Sequence, residues 1–182
     1  MYDWVGEKDY FAITTNVDGQ FEKAGFSTDH IFATQGDYAY FQPESGSPKE
    51  LYYNKEWVER ALPAIKDCRI PTSLIPHAPD GKPVSMNLRC DDSFVEDVHW
   101  HQQAAAYQQF VEKAYKKRLL LLEFGVGFNT PVIIRFPFER MAAHFSQTTL
   151  VRFNRDYPQL TSEGVSRFMS FTEDLPEIFL KS

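Results

Sequence analysis

The apolar positions of this chain fall in short runs that stop abruptly at polar groups. Asp9 to Thr15 reads as a buried strand that gives way to Thr14, Thr15, Asn16 and Asp18. Asp18 opens a short helix with Phe21, Ala24 and Phe26 on its apolar side and Gly25 near its end. Ile31 to Ala33 is a second short strand, ending in Thr34, Gln35, Gly36 and Asp37. Pro43 to Lys49 is a loop on turn chemistry alone. Leu51 to Asn87 carries scattered aromatics and prolines at low regularity, with weak helical character near Lys55–Ile65. Ser85 to Arg89 reads as a strand.

The second half is more regular. Tyr107, Phe110, Val111, Ala114 and Tyr115 recur at helical spacing, which predicts a helix over Gln102–Arg118. Lys116, Lys117 and Arg118 at its end complement the helix dipole. Leu119 to Phe124 follows at once, a run of four Leu that predicts a strand buried on both faces. Gly125-Val-Gly-Phe-Asn-Thr-Pro131 is a glycine loop. Thr130 can cap the helix after it and Pro131 fits a first turn. Pro137 is expected to break that helix, leaving Phe138–Phe145 as a second piece. Thr149 to Asn154 and Phe168 to Phe171 are further strands, and a helix follows from Thr172 with Glu173 and Asp174 in its first turn.

Helices feeding directly into buried strands indicate an α/β fold. Such sheets bind ligands where their strands end. Two polar strand ends so close in sequence, at Asn16 and Gln35, therefore suggest one shared site. Asn and Asp offer donors and acceptors to an amide or a ribose, but they equally cap the helices that follow. Spacing alone does not separate these readings. A strand, a glycine loop and a helix can hold phosphate or ribose. A lone Gly-x-Gly also recurs in turns with no ligand. From the residues alone, the chain is a nucleotide-binding α/β domain with no named reaction.

Composition narrows the partners. At 182 residues the chain is one domain, or one domain with a small insertion. A net charge of −6 argues against nucleic acid as the main partner. The two cysteines, Cys68 and Cys90, are far apart and lack zinc-site spacing. His99 and His101 read as surface residues near a helix start. There is no basic-then-apolar leader pattern and no apolar run of membrane-spanning length. The expectation is a cytoplasmic protein with reduced thiols.

The order of motifs carries a resemblance. Thr15-Asn16-Val17-Asp18 looks like the Gln-Asn-Ile-Asp motif of sirtuins, and Thr34-Gln35-Gly36 lies where sirtuins carry His-Gly. Gly125-Val126-Gly127 followed by Pro131 resembles their Gly-Thr-Ser loop, and Phe153-Asn154 resembles Ile-Asn at the next strand end. The wording of these segments is most similar to the class M, macrodomain-linked sirtuins. The resemblance implies a partial Rossmann-like sheet over residues 1–42 and 102–182. Residues 43–101 would be a small, degenerate zinc-ribbon-like insertion. Ala78 and Gly81 stand in its Cys positions, so no zinc is expected. The family's Gly-Ala-Gly-Ile-Ser phosphate loop does not precede Asn16.

By the same resemblance, NAD is the cofactor, bound through Thr15, Asn16, Asp18, Gly125, Val126, Gly127 and Asn154. Asn16 would orient the nicotinamide ribose or a water, Asp18 would bind the nicotinamide amide or ribose, and Gln35 would position an acceptor. Arg89 is an acceptor-side or charge-stabilising candidate, and a surface ion pair is its alternative. The His of sirtuin deacylases acts as a base on the ribose. Gln35 has no titratable proton near neutral pH and cannot. Class M sirtuins carry Gln here and transfer ADP-ribose to a protein, a lipoyl-carrier-like one in that family. The implied activity is NAD-dependent protein ADP-ribosylation. The alternatives are a deacylase using His30 or His77, and a non-catalytic NAD-binding remnant.

Overall fold

The structure is a computed structural model that describes residues 2–179. It is an α/β protein in two compact units, one of residues 12–105 and one of residues 1–11 with 106–182.

The first of these units begins with β1 (Ala12–Thr14), α2 (Gln20–Lys23) and β2 (Ile31–Ala33), the numbering allowing for α1 at Tyr2–Val5. β1 and β2 pair in parallel, Thr14 opposite Ala33, so their polar carboxyl ends lie side by side. β2 matches its predicted bounds, whereas β1 is shorter than the Asp9–Thr15 expectation. Gly19, not Asp18, is the residue preceding α2, and it is left-handed at φ +62°. Asp18 still serves the turn, its Oδ1 accepting from the Gln20 amide at 3.2 Å.

β3 (Gly36–Pro43), β4 (Tyr52–Tyr53) and β5 (Val84–Leu88) form an antiparallel sheet in the order β4-β3-β5, with α3 (Lys55–Ala61) after β4. β3 departs from the sequence reading, which placed no strand there. Its start is fixed by close approach. A Cβ on Gly36 would lie 2.2 Å from the Asn87 carbonyl oxygen, and its φ of +106° is one that L side chains rarely adopt. Gly36→Ala is therefore expected to cost at least about 2 kcal/mol. Urea unfolding checks this, and an unchanged midpoint would contradict the strain. Gln42 and Asn87, 1% and 3% exposed, pair across the sheet at 2.9 Å, and Gln42 also takes the Val95 amide.

α4 spans Val98–Ala114, a turn earlier at its start than predicted. Asp97 explains the shift, because its Oδ1 caps the Trp100 amide at 2.8 Å. The helix also stops before the basic trio, since β6 opens at Leu119.

In the other unit β6 (Leu119–Phe124), β7 (Thr148–Phe153) and β8 (Phe168–Phe171) form a parallel sheet, with α5 (Arg135–His144) between the first two and α6 (Leu175–Phe179) after the last. In this sheet β7 is central and β6 lies at an edge. Burial follows that order. Leu150 is 0% exposed, whereas Leu120 of β6 is 57% exposed, which corrects the expectation of burial on both faces. Pro137 does not split α5. It is the third helical residue, in the first turn, where a missing N–H is tolerated. Residues 131–134 form turns, so neither Thr130 nor Pro131 starts the helix. The tail helix starts at Leu175 rather than Thr172.

The parallel sheets and helices are compatible with a Rossmann-like fold. Among the described residues no helix is long and apolar enough to cross a membrane.

Candidate functional site

The strand ends of the first unit are tied to one another by backbone bonds. The Thr34 amide and hydroxyl both donate to the Thr14 carbonyl at 3.0 Å, and the Tyr38 amide donates to the Val17 carbonyl at 2.9 Å. The Asn16 amide donates to Thr14 Oγ1 at 3.0 Å. The loop carrying Thr15, Asn16 and Asp18 is thus fixed beside the loop carrying Gln35. Asn16 and Asp18 are exposed and line a recess of about 10 Å³ with Gly36 and Asp37, room for about one water.

Gln35 is half-buried in the short link between β2 and β3. Its carbonyl accepts from the Arg89 amide at 2.9 Å, and the preceding Thr34 carbonyl accepts from the Trp100 indole at 3.4 Å. The backbone is therefore held from two sides. Its side-chain oxygen is enclosed yet accepts no hydrogen bond. An unpaired buried amide oxygen costs free energy unless something supplies a donor. Gln35 thus keeps one enclosed acceptor atom without a donor.

Arg89 sits one backbone bond from Gln35, but its guanidinium is engaged elsewhere. It pairs with Glu96 and lies 4.3 Å from the Phe94 ring centre. This is the ion-pair alternative, with a positioning contact to Gln35 that the sequence did not indicate.

The other unit carries its own set of strand-end loops. Gly125 is left-handed at φ +62°, and a Cβ on either Gly125 or Gly127 would meet nothing within 4 Å. Neither glycine is needed to avoid a neighbour, and the space above both is open to a ligand. Asn154, 8% exposed, spends its amide on shaping this loop. Its Nδ2 donates to the Val126 carbonyl at 2.9 Å, and its Oδ1 accepts from the Asp156 and Tyr157 amides at 3.1 and 2.9 Å.

Beneath these loops lies a buried charge cluster that the sequence reading missed. Glu123 of β6, Arg135 and Glu139 of α5, and Arg152 of β7 all have fully buried side chains. Arg152 grips both oxygens of Glu123, at 2.7 and 3.0 Å, and donates to Glu139 at 2.8 Å. Arg135 reaches outward, donating to the carbonyls of Val126 at 3.1 Å, Tyr157 at 2.9 Å and Gln159 at 2.8 Å. Burial would push the Glu139 carboxyl up, but hydrogen bonds from Thr161 and Arg152 outweigh it and hold the pKa below the usual value. The signal in the sequence was a single Glu at the end of a Leu run and a single Arg inside Leu-Val-Arg-Phe. Lone opposite charges in buried strands are paired.

Two curated relatives resemble the chain. It is 30% identical over 170 residues to a protein ADP-ribosyltransferase of Staphylococcus aureus, a match covering 92% of this chain and 54% of that protein. It is 28% identical over 139 residues to a probable bifunctional ADP-ribose hydrolase/ADP-ribosyltransferase of Fusarium oxysporum, covering 72% of this chain and 23% of that protein. The chain thus spans about half the length of the first relative and about a quarter of the second. No protein-family model matches it. Both relatives are named for ADP-ribosyl transfer, which is the general chemistry to which the chain is similar.

Proposed function

We propose that this chain is a class M sirtuin-like domain that takes part in NAD-dependent ADP-ribosylation of a protein. The observation that carries the reading is Gln35. It occupies the position where a deacylase of this family needs a His, and its amide oxygen is enclosed without a donor. A neutral amide can accept a hydrogen bond from an acceptor or a ribose hydroxyl, but it cannot remove a proton near neutral pH. That favours positioning for transfer over base-assisted deacylation. The names of the two relatives support the same general chemistry.

NAD would supply the ADP-ribosyl group and a leaving nicotinamide. The chain's residues would do the rest. In this reading Asn16 orients the ribose or nucleophile, Asp18 holds the nicotinamide amide or ribose, and Gln35 positions the acceptor. Arg89 fixes the Gln35 backbone. Thr15, Gly125, Val126, Gly127 and Asn154 are assigned to binding the dinucleotide. The open space above Gly125 and Gly127 fits close approach of a ligand to backbone. The zinc-ribbon-like character of residues 43–101 and a lipoyl-carrier-like acceptor belong to the same proposal.

The test is nicotinamide release from NAD, with biotin-labelled NAD reporting label on a lipoyl-carrier-type protein. Release with label on the acceptor supports transfer. Robust removal of an acyl-lysine with no label would sink it.

A further inference from the structure

Among the described strands, β6 is the longest that lies at a sheet edge, six residues from Leu119 to Phe124. The amides of Leu119 and Gly125 donate toward β7, to the carbonyls of Gln147 and Phe153 at 3.2 and 2.9 Å. In a strand the N–H and C=O of one residue point the same way, and the direction alternates along the chain. Leu120, Leu122 and Phe124 therefore turn their backbone groups away from β7, and among the described residues β6 is paired with β7 alone. Such edges are usually blunted by Lys, Pro or a bulge. β6 has none of these. Its register to β7 runs unbroken over all six residues, and its single charge, Glu123, is buried against Arg152. Leu120 is 57% exposed, on the face of the strand that it shares with Leu122 and Phe124.

We propose that β6 pairs with β6 of a second copy of this chain, antiparallel across a two-fold axis. The outward-facing residues set the register. Leu122 lies opposite Leu122 of the second copy, and Leu120 opposite its Phe124. Each such pair exchanges two backbone hydrogen bonds, about six in all. The same register puts these side chains on one face, so that each exposed Leu120 is covered by a Phe124 ring. Charge selects the antiparallel direction. Lys116, Lys117 and Arg118 precede β6. At the other end of the strand, Phe179 of α6 packs against Phe124 at 6.0 Å, and Glu173, Asp174 and Glu177 lie before and within that helix. Antiparallel pairing sets the basic end of each copy beside the acidic end of the other. Arg155, 3.9 Å from Asp174, offsets part of that acidity. Parallel pairing would set like charges together. The two-fold axis uses the free edge of β6 on both copies, so the assembly closes at two. Pairing of this kind is independent of what the strand-end loops bind.

Sedimentation velocity on the purified protein at micromolar concentration tests the pairing, with hydrogen exchange reading the edge amides. The wild-type chain is expected to sediment as a dimer with the Leu120, Leu122 and Phe124 amides protected. Leu120→Lys puts a charge on the covered face and should weaken dimerisation at least about tenfold. Leu122→Pro removes an N–H that faces away from β7, so the sheet should hold while the dimer is lost. Circular dichroism checks the folding of both variants. If Leu122→Pro unfolds, Leu120→Lys decides, because its side chain is exposed in the single copy. A wild-type chain that stays monomeric overturns the pairing. So does a dimer that survives Leu120→Lys with the edge amides exchanging freely, which puts the interface elsewhere. Growth beyond two copies, or a different polypeptide bound along this edge, overturns it as well.

Discussion

Arg152→Met should strip this protein of about 3–5 kcal/mol of stability, against the ~5–15 kcal/mol that a domain of ordinary size has in total. The reason is what the substitution leaves behind. Glu123 and Glu139 are fully buried, and Arg152 donates to both, at 2.7 and 2.8 Å. Removing the cation takes from two buried carboxylates their nearest positive partner, and leaves Glu139 only the neutral bonds from Thr161, at 3.0 and 2.6 Å to its Oε2. Arg135 compensates poorly, at 3.5 Å from Glu123 and 4.0 Å from Glu139. Urea unfolding followed by circular dichroism measures the loss. A midpoint that shifts by less than the equivalent of about 1 kcal/mol would show the cluster to be energetically idle. The cluster also sets an acid limit. The folded Glu139 pKa lies below its ordinary 4.5, so its contribution is full above that value and fades as pH falls through the depressed one.

The second large effect is expected on chemistry rather than stability. Gln35→Ala should lower ADP-ribosyl transfer by roughly 10²–10³-fold, the usual cost of deleting one positioned hydrogen-bonding group at a reaction centre. Folding should hold. The amide oxygen has no partner to abandon, and the loop is fixed through the backbones of Thr34 and Arg89 rather than through this side chain. A kinetic comparison at saturating NAD reads the change. If transfer persists within a fewfold of wild type, Gln35 has no positioning role. If Gln35→Ala unfolds the chain, the side chain is structural.

The helices and strands that the sequence revealed were those whose pattern is local. Ile31–Ala33 and Phe168–Phe171 were legible because short apolar runs end at turn residues. Their parallel neighbours followed from the helices between them. What escaped depends on partners distant in sequence. β3 is a strand because Gly36 and Asp37 face Leu88 and Asn87, some fifty residues away. Pro137 misleads because its effect depends on where the first turn begins, and here that turn includes it. α5 was the hardest case. Its inner face includes Arg135 and Glu139, and amphipathic reasoning sends charges outward. The β6 run misled in the same way, because an edge position in the sheet is not written in four leucines.

The candidate site was legible in its motif positions and not in its supports. Asn16, Asp18 and Gln35 stand out as polar groups ending apolar runs, and the parallel pairing of β1 and β2 brings those ends together. The glycine loop was visible, but not that Arg135 and Asn154 shape it from below. Those bonds go to backbone carbonyls, which no sequence pattern marks.

The central claim is that Gln35 serves transfer and not deacylation. The most direct measurement incubates wild-type protein with biotin-labelled NAD, a lipoyl-carrier-type protein and, separately, an acyl-lysine peptide. Nicotinamide release and label on the carrier are followed together with loss of the acyl group. The expected result is label on the carrier matched by nicotinamide, with the peptide unchanged. Deacylated peptide with no labelled carrier would contradict the account.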